Sequence, residues 1–557
     1  MSRETERRGN EAGQAAVQTV AELLEMKAQS RPDADLVCVP PALAEDWSLD
    51  KDAWTFGDVA AEANALGAAY SAAGYGPGHR VALLLENRPV HYVHWLALAG
   101  IGVSVVPLNP DSRASELHYI LSHSESAAVV TLAQRRRQVA ETAGALGLPV
   151  VLPGDVPPRP APVAPPPEAD GREAECALLY TSGTTGKPKG CLLSHGYFLA
   201  WGEWYAAQGG AISLRPWQER LLTPLPTFHV NAMGNSFVGM LHSGGAQIIV
   251  DRFHPRSWWT TARETRATCF HYLGVMPAIL LALPHDAAER DHTLRFGLGG
   301  GVHPNHHGAF EERFGVPLLE GWAMTETGGA ALLCSVEEPR HVGKRCIGRA
   351  DRLGPPMEAA IVDDDGERVP HEQPGELLVR ARGLNPRAHF FSGYFKDPET
   401  TQANWTGDWF RTGDIVKQDA AGAIFFVDRK KNIIRRSGEN IAAMEVEGVL
   451  AAHPAVRQVA VVAVLDEIRG EEVLAAIVTD GNVGRDSALA RQILKDAASK
   501  LAYFKLPGWI AFLDELPTTT TQKVRKADLG AVAHDPENNP ACIDLRAEKQ
   551  ALRETAL

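Results

Sequence analysis

Tyr180-Thr-Ser-Gly-Thr-Thr-Gly-Lys-Pro-Lys-Gly190 packs three glycines, four Ser/Thr hydroxyls and two lysines into eleven positions. Glycine permits positive φ and close backbone approach to a ligand. Successive N–H groups on such a loop, flanked by hydroxyls and ammonium groups, form a cradle for phosphate oxygens. A Walker A loop requires four residues between its glycines and a Ser or Thr after the lysine. Here two residues separate Gly183 from Gly186, and Pro188 follows Lys187. The stretch therefore reads as a different kind of nucleotide loop. A flexible Gly/Ser/Thr linker would not need Tyr180, Pro188 or paired lysines, nor the apolar run Cys176-Ala-Leu-Leu-Tyr180 that feeds the loop like a buried strand.

Working outward, the pattern alternates between buried strands and helices. Val81–Leu85, Gly102–Pro107 and Ala127–Leu132 read as strands, with helices at Val17–Gln29, from Trp54 to about Gly74, at Pro89–Ala99 and at Ser115–Ser122. That alternation argues βαβ units and a parallel sheet. Residues 152–170, rich in Pro, Ala, Glu and Asp, read as an exposed connection. Further on come the strands Gln247–Val250 and Leu294–Leu298, the latter running into Gly299-Gly-Gly301. Residues 340–428 show short β runs between turn signals, and beyond Lys431 the pattern becomes a compact α+β unit.

The chain has 557 residues, enough for three or four lobes. Its net charge of −13 without a long basic stripe argues against a nucleic-acid partner. The longest apolar stretch, Trp95–Leu108, is too short to span a bilayer, so no membrane association is expected. Residues 1–18 lack an apolar signal core. The seven cysteines are scattered and include no C-x-x-C pair, which suits reduced thiols and a cytoplasmic location.

The glycine loop resembles the signature of the adenylate-forming superfamily, which comprises acyl-CoA ligases, luciferases and peptide-synthetase adenylation domains. Five further stretches match that superfamily in order: Pro226-Thr-Phe-His-Val-Asn-Ala-Met233; Gly299-Gly-Gly301 with Glu320-Gly-Trp-Ala-Met-Thr-Glu326; Phe410-Arg-Thr-Gly-Asp414; Asp428-Arg-Lys-Lys-Asn-Ile-Ile-Arg-Arg-Ser-Gly-Glu-Asn-Ile441; and Pro517-Thr-Thr-Thr-Thr-Gln-Lys-Val-Arg-Lys526. The ordered set covers nearly the whole chain and is far more specific than any one motif.

The resemblance implies a fold of mixed α/β and α+β class. It comprises a large N-terminal part of two α/β lobes plus a β-rich lobe, joined by a hinge to a small mobile C-terminal domain. The expected division is a loose tail at 1–17, an AMP-binding domain at 18–428 (lobes about 18–170, 171–332 and 333–428), a mobile domain at 429–535 and a polar tail at 536–557.

It also implies roles. Thr181, Ser182, Gly183, Thr184, Thr185 and Lys189 cradle phosphate. Gly300 and Gly301 lie against one adenine face and Trp322 against the other, beside Glu320 and Gly321; an indole offers a large π face for this. Thr325 touches phosphate oxygens, and Glu326 holds Mg²⁺, a hard cation suited to carboxylate oxygen. His229 gates the passage from acyl pocket to phosphates, where a core histidine is the competing reading. Asp414 accepts hydrogen bonds from the ribose hydroxyls, with Arg429 beside it. Lys431 is the hinge, and Ser437, Gly438 and Glu439 line the CoA tunnel. Lys523 is the catalytic lysine; Gln522 stands where family members usually carry Gly, and Trp322-Ala323 stands where they usually carry Tyr-Gly.

These roles imply an AMP-forming carboxylate–CoA ligase using ATP, Mg²⁺ and CoA, with no further macromolecular partner; a homodimer is left open. Gly321–Thr327, Phe426–Asn440 and Ala451–Pro454 look most like bacterial carnitine/crotonobetaine–CoA ligases, which favours a small polar acid. Aryl or medium-chain acids are the alternative within the class. A stand-alone adenylating protein that loads a carrier, or a non-catalytic nucleotide-binding paralogue, are the alternatives outside it. Two other signals are better read structurally. His303-Pro-Asn-His-His307 lacks a further metal ligand at sensible spacing. Asp486 or Ser487 suits a helix N-cap better than a carrier-attachment site.

Overall fold

The computed structural model describes residues 17–165, 171–181, 188–331, 333–351, 357–436, 439–466, 469–481, 483–518 and 524–555. Among these residues the strands form four sheets. In the first, Arg80–Leu84 lies between Ser104–Pro107 and Ala128–Thr131, all parallel. The expected helix precedes it: Thr55 and Asp58 close a capping box on Phe56–Ala73, which ends at Gly74 with φ 99°. The helix Pro89–Ala99 is buried almost all round, its two histidines His91 and His94 included.

The signature stretch closes this sheet. Glu175–Thr181 runs parallel to Ser104–Pro107, then turns back antiparallel as Lys189–Ser194, with Thr181 opposite Lys189. The loop is thus the connection of a hairpin, whereas a Walker loop leads from a strand into a helix. The Pro-rich connection before it is mostly exposed, but it is tacked down where Tyr75 Oη donates to Pro158 O at 3.2 Å and a His79 ring nitrogen lies 3.0 Å from Ala161 O.

The second sheet orders Leu333–Cys334, Leu318–Trp322, Phe296–Gly300, Cys269–Leu273, Arg220–Thr223, Ala246–Ile249, Asp35–Cys38 and Ala53–Thr55. One face packs on Trp258, Met276, Leu280, Phe310 and Phe314. The other packs on Trp201, Trp204, Tyr205 and Phe237, carried by the helix His195–Ala207 and the π-helix Asn231–Val238.

Here the two α/β lobes depart from the expected split near residue 170. Asp35–Cys38 pairs with Ala246–Ile249, and Gly393–Tyr394 returns to pair with Lys189–Ser194 in the first sheet. Both are long-range pairings that neighbour-by-neighbour reading of a sequence does not encode.

The third sheet is antiparallel and spans Cys346–Arg429, as the short β runs predicted. Its long strand Trp409–Gln418 alternates, and this buries Phe410, Thr412, Asp414 and Val416 on one side. The C-terminal sheet holds Ile433–Arg436, Glu439–Ala442, Val456–Asp466, Gly470–Thr479 and Trp509–Phe512 around a core of Ile434, Val446, Val473, Ile477, Ile493 and Ile510. Asp486 caps the helix Ser487–Ala498 by accepting from the N–H groups of Ala488 and Leu489.

The expected polar tail at 536–557 is corrected over its described part, residues 536–555, which belongs to the fold. Cys542–Asp544 adds an antiparallel strand beside Trp509–Phe512, and the helix Arg546–Thr555 follows. Its charged composition hid this, because three apolar anchors (Ile543, Leu545 and Leu552) suffice to seat it against the core. Among the described residues no helix is long and apolar enough to cross a membrane.

Candidate functional site

The C-terminal ends of the second sheet meet the inner face of the third. Glycine is required here by contact. A Cβ on Gly274 would lie 1.8 Å from Gly301 O, and one on Gly299 would lie 2.2 Å from Tyr272 O. Gly301 itself has φ 78° and open space where a side chain would go. The buried carboxylate of Glu320 accepts from the N–H groups of Gly301 and Val302, although burial, the larger influence, raises its pKa. Gly300 and Gly321 approach each other across the adjoining strands, with a Gly300 Cβ position 2.9 Å from Gly321 O. Gly300, Gly301, Glu320, Gly321 and Trp322 therefore lie close together along the adjoining ends of two strands.

Trp322 donates Nε1–H to Asp414 Oδ2 at 2.7 Å. Asp414 stands opposite Arg429 in the antiparallel register, and Arg429 Nε lies 3.0 Å from Asp414 Oδ1. That ion pair lacks hydrogen-bond alignment, so Oδ1 is a buried acceptor without a donor. Burial pushes the Asp414 carboxyl up, while Arg429 and Trp322 oppose the rise.

Glu326 follows four residues after Trp322. Its Oε1 accepts from Tyr394 Oη at 2.7 Å, and Tyr394 in turn accepts from Asn404 Nδ2 at 3.2 Å. Burial first and the Glu326 charge second raise the Tyr394 phenol, which keeps it a donor. Lys189 Nζ sits 5.1 Å from the Tyr394 ring centroid and 3.9 Å from Asp397 Oδ2. Glu326 and Lys189 are therefore joined through one tyrosine. Thr325 is anchored from behind, its carbonyl accepting from Tyr197 Oη at 2.7 Å. The stems of the glycine loop are braced as well: Tyr180 Oη lies 2.8 Å from His123 Nδ1, and Tyr119 Oη donates to Pro188 O at 3.1 Å.

On the other side, Asn87 ties three loops together. Its Nδ2 donates to Leu225 O and Val250 O at 3.2 and 3.0 Å, and its Oδ1 accepts from Thr227 N at 2.8 Å. This fixes the entry to Phe228-His229, whose rings lie 4.6 Å apart. The π-helix that begins just after His229 places Ser236 Oγ 3.0 Å from Asn231 Oδ1 and 2.8 Å from His271 Nδ1. Tyr205 Oη closes the set at 3.2 Å from His271 Nε2. Burial holds His271 down to about 3, so its ring is neutral. π-Helical turns are frequent at functional sites.

At the junction with the C-terminal unit, Asp428 accepts from Arg429 N at 2.7 Å and Asn432 Nδ2 at 3.1 Å through Oδ1, and from Met444 N at 2.8 Å through Oδ2. Arg345 donates to Val427 O at 3.0 Å from the opposite side. Lys431 lies in the short helix Lys430–Asn432 between these anchors. Its side chain is outside the described residues, as are the side chain of Glu439, whose backbone pairs with Arg436, and all of Ser182, Gly183, Thr184, Thr185, Ser437, Gly438 and Lys523.

Sequence reasoning missed Tyr394, Asn87 and Asp428 as site residues. A tyrosine 68 positions from Glu326 carries no local pattern that separates it from a core aromatic. Asn87, just before Pro89 at a helix start, reads as an ordinary turn residue. Asp428 did have a signal, since it sits inside the fourth motif beside Arg429.

Comparison with known proteins agrees along the chain. The AMP-binding enzyme family matches residues 24–395, and the AMP-binding enzyme C-terminal domain matches residues 445–523. A sulfoacetate–CoA ligase from Cupriavidus necator is 32% identical, covering 92% of this chain and 97% of its own. A crotonobetaine/carnitine–CoA ligase from Shigella flexneri is 30% identical, covering 81% of this chain and 88% of its own. Among solved structures, ATP-bound MatB from Rhodopseudomonas palustris superposes with a TM-score of 0.77 at 25% identity, covering 93% of this chain and 99% of its own. An anthranilate CoA ligase, AuaEII, in complex with anthranoyl-AMP gives 0.79 at 23% identity over 94% of this chain and 98% of its own, a likeness of fold alone.

Proposed function

The chain belongs to the AMP-binding enzyme family, and we propose that within it the chain is an AMP-forming carboxylate–CoA ligase acting on a small polar acid. The observation that carries this reading is the unfilled acceptor on buried Asp414, held between Trp322 and Arg429. A buried carboxylate oxygen without a donor is costly unless a ligand supplies one. A ribose diol is such a donor, and an indole edge beside it suits a purine. The open space at Gly301 suits the face of a flat ring.

CoA ligases of this family use ATP, Mg²⁺ and CoA. We assign Glu326 as the Mg²⁺ ligand, since its carboxylate is oriented by a phenol that cannot itself compete as an anion. Bound Mg²⁺ would offset the negative charge that moves onto pyrophosphate. Lys189 and the glycine loop are assigned to the phosphates, and Thr325 to the same oxygens.

In the first half-reaction the acid's carboxylate oxygen attacks the α-phosphorus of ATP. The P–O bond to pyrophosphate breaks, and acyl-AMP forms. Lys523 is assigned to stabilise that transfer, which is mostly a matter of position and charge. In the second, the CoA sulfur attacks the acyl carbonyl, its proton is lost, and AMP leaves with the oxygen that linked it to the acyl group. We propose that the two steps are separated by a rotation of the C-terminal unit about Lys431, with Ser437, Gly438 and Glu439 lining the CoA path in the second. The acid is assigned to the space between His229 and the polar wall of Asn231, Ser236 and His271.

The polar-acid assignment follows the sulfoacetate and crotonobetaine/carnitine relatives. The two-part division into an AMP-binding domain and a C-terminal domain near residue 429 belongs to the same proposal. So does a cytoplasmic site of action, which suits seven free cysteines. A homodimer is the assembly to test.

Mass spectrometry of the protein with Mg·ATP, CoA and a pooled acid library tests the whole reading. The pool contains sulfoacetate, carnitine, crotonobetaine, and short-chain, medium-chain and aryl acids. The expected result is one new polar acyl-CoA with matching AMP. An aryl or medium-chain thioester would overturn the substrate assignment. Acyl-AMP without thioester would indicate a carrier-loading enzyme, and no product at all would favour a non-catalytic paralogue.

A further inference from the structure

The C-terminal helix Arg546–Thr555 lies beyond the matched C-terminal domain, which ends at residue 523. It nevertheless drives a lysine into the heart of that unit. The Lys549 side chain is 2% exposed. Its Nζ donates to Glu472 Oε1 at 2.7 Å, Leu506 O at 2.5 Å and Phe504 O at 3.2 Å, which uses all three of its protons. Glu472, equally buried, receives Arg436 Nε on its other oxygen at 2.8 Å. Arg436 also lies over the Tyr503 ring, 5.5 Å from its centroid. Room for the carboxylate depends on Gly508, where a Cβ would meet Glu472 Cγ at 2.6 Å.

Such a cluster is a poor way to stabilise a core. Taking ions out of water costs several kcal/mol each before pairing is recovered. Burial accordingly holds the Lys549 ammonium down to about 8, with Glu472 opposing the drop. Two cations share one carboxylate, and an apolar helix contact would have anchored the segment more simply. What the cluster does is fix one point. Arg436 ends the strand Ile433–Arg436, whose partner strand Glu439–Ala442 leads directly into the helix Ala443–Leu450. In chain order these two strands lie between the proposed hinge at Lys431 and the helix Ala443–Leu450.

We propose that Lys549 and Glu472 are positioning residues for the CoA-dependent half-reaction, acting through Arg436 to hold the paired strands Ile433–Arg436 and Glu439–Ala442 in place. The proposal rests on the ligase reading above. It separates the half-reactions, because Trp322 and Asp414 lie on strands of other sheets and Glu326 lies in the turn that follows Trp322.

The test is Lys549→Met, assayed with the acid identified from the pool. ATP–pyrophosphate exchange is expected to stay within about twofold of wild type. With supplied acyl-AMP, the KM for CoA should rise at least tenfold while kcat changes less, and hydrogen exchange should quicken across the strands 433–436 and 439–442. Equal loss of both half-reactions would reduce Lys549 to a structural role and overturn the proposal, as would an unchanged KM for CoA. Should Lys549→Met not fold, Glu472→Gln takes its place: a selective rise in the KM for CoA supports the brace, and equal loss or an unchanged KM overturns it. If wild type itself forms no acyl-CoA, the ligase reading fails and this proposal falls with it. If wild type is active and both variants match it, only the brace falls.

Discussion

Asp414 and His271 are both buried polar groups, the first assigned to the nucleotide and the second to the acid, yet they are left in opposite conditions. Asp414 keeps an oxygen without a hydrogen-bond donor, and burial raises its pKa. His271 has both ring nitrogens engaged, by Ser236 and Tyr205, and burial keeps it neutral. The nucleotide side is thus built to be completed by a ligand's donors. The network proposed to back the acid is already complete, with a neutral His271 at its centre. A polar group left open in the free protein gives ligand binding a large term, whereas a closed network mainly shapes a cavity. The two sides should therefore respond to substitution very differently.

The largest effect lies with the residue that belongs to neither side. Lys523→Ala is expected to lower acyl-AMP formation by about a hundredfold or more, the scale of losing one charge-stabilising group in a transition state. Conversion of supplied acyl-AMP to thioester should persist. If both half-reactions fall together, Lys523 does not act in adenylation alone, and the assignment of separate surfaces to the two steps breaks.

Asp414→Asn comes next. The amide oxygen can still accept from Trp322, so the indole edge is preserved, but the charge facing Arg429 and the strong acceptor for a diol are lost. Hydrogen bonds to charged groups contribute about 1.5–3 kcal/mol, which converts to roughly a ten- to hundredfold rise in the KM for ATP. The KM for the acid should hardly move. An acid KM that rises as much as the ATP KM would mean that Asp414 is not a nucleotide residue.

This contrast also explains what could be read from the sequence. The nucleotide side draws its groups from short runs with fixed spacing, so Gly299–Gly301, Glu320–Glu326, Asp414 and Arg429 were all identifiable one motif at a time. Their convergence needed only the sheets that alternation predicted. The acid side draws Tyr205, Ser236 and His271 from three elements with no shared motif, and each alone is indistinguishable from a core polar residue. Tyr394 was hidden for the same reason. It reaches Glu326 only because Gly393–Tyr394 returns to the first sheet across about two hundred residues of chain. The C-terminal strand and helix were obscured by composition. Lys549 reads as a solvated charge unless its acceptors are seen.

The smallest expected effect sharpens the comparison most. Ser236→Ala removes one hydroxyl from the closed network, yet Asn231 Oδ1 still lies 3.1 Å from His271 Nδ1 and can take over its bond. The net value of such a neutral hydrogen bond is about 1 kcal/mol, so the KM for the acid should change by only about fivefold, with the KM for ATP unmoved. The pH dependence gives a second check. His271, with its pKa near 3, is neutral across pH 5–9 in the folded protein, so protonation cannot strengthen or weaken the wall there, and the acid KM ratio of variant to wild type should stay flat. A ratio that bends near pH 6.5 would show that His271 is charged when the acid binds. The acid side would then be an electrostatic site like its neighbour, and the difference between the two sides would vanish.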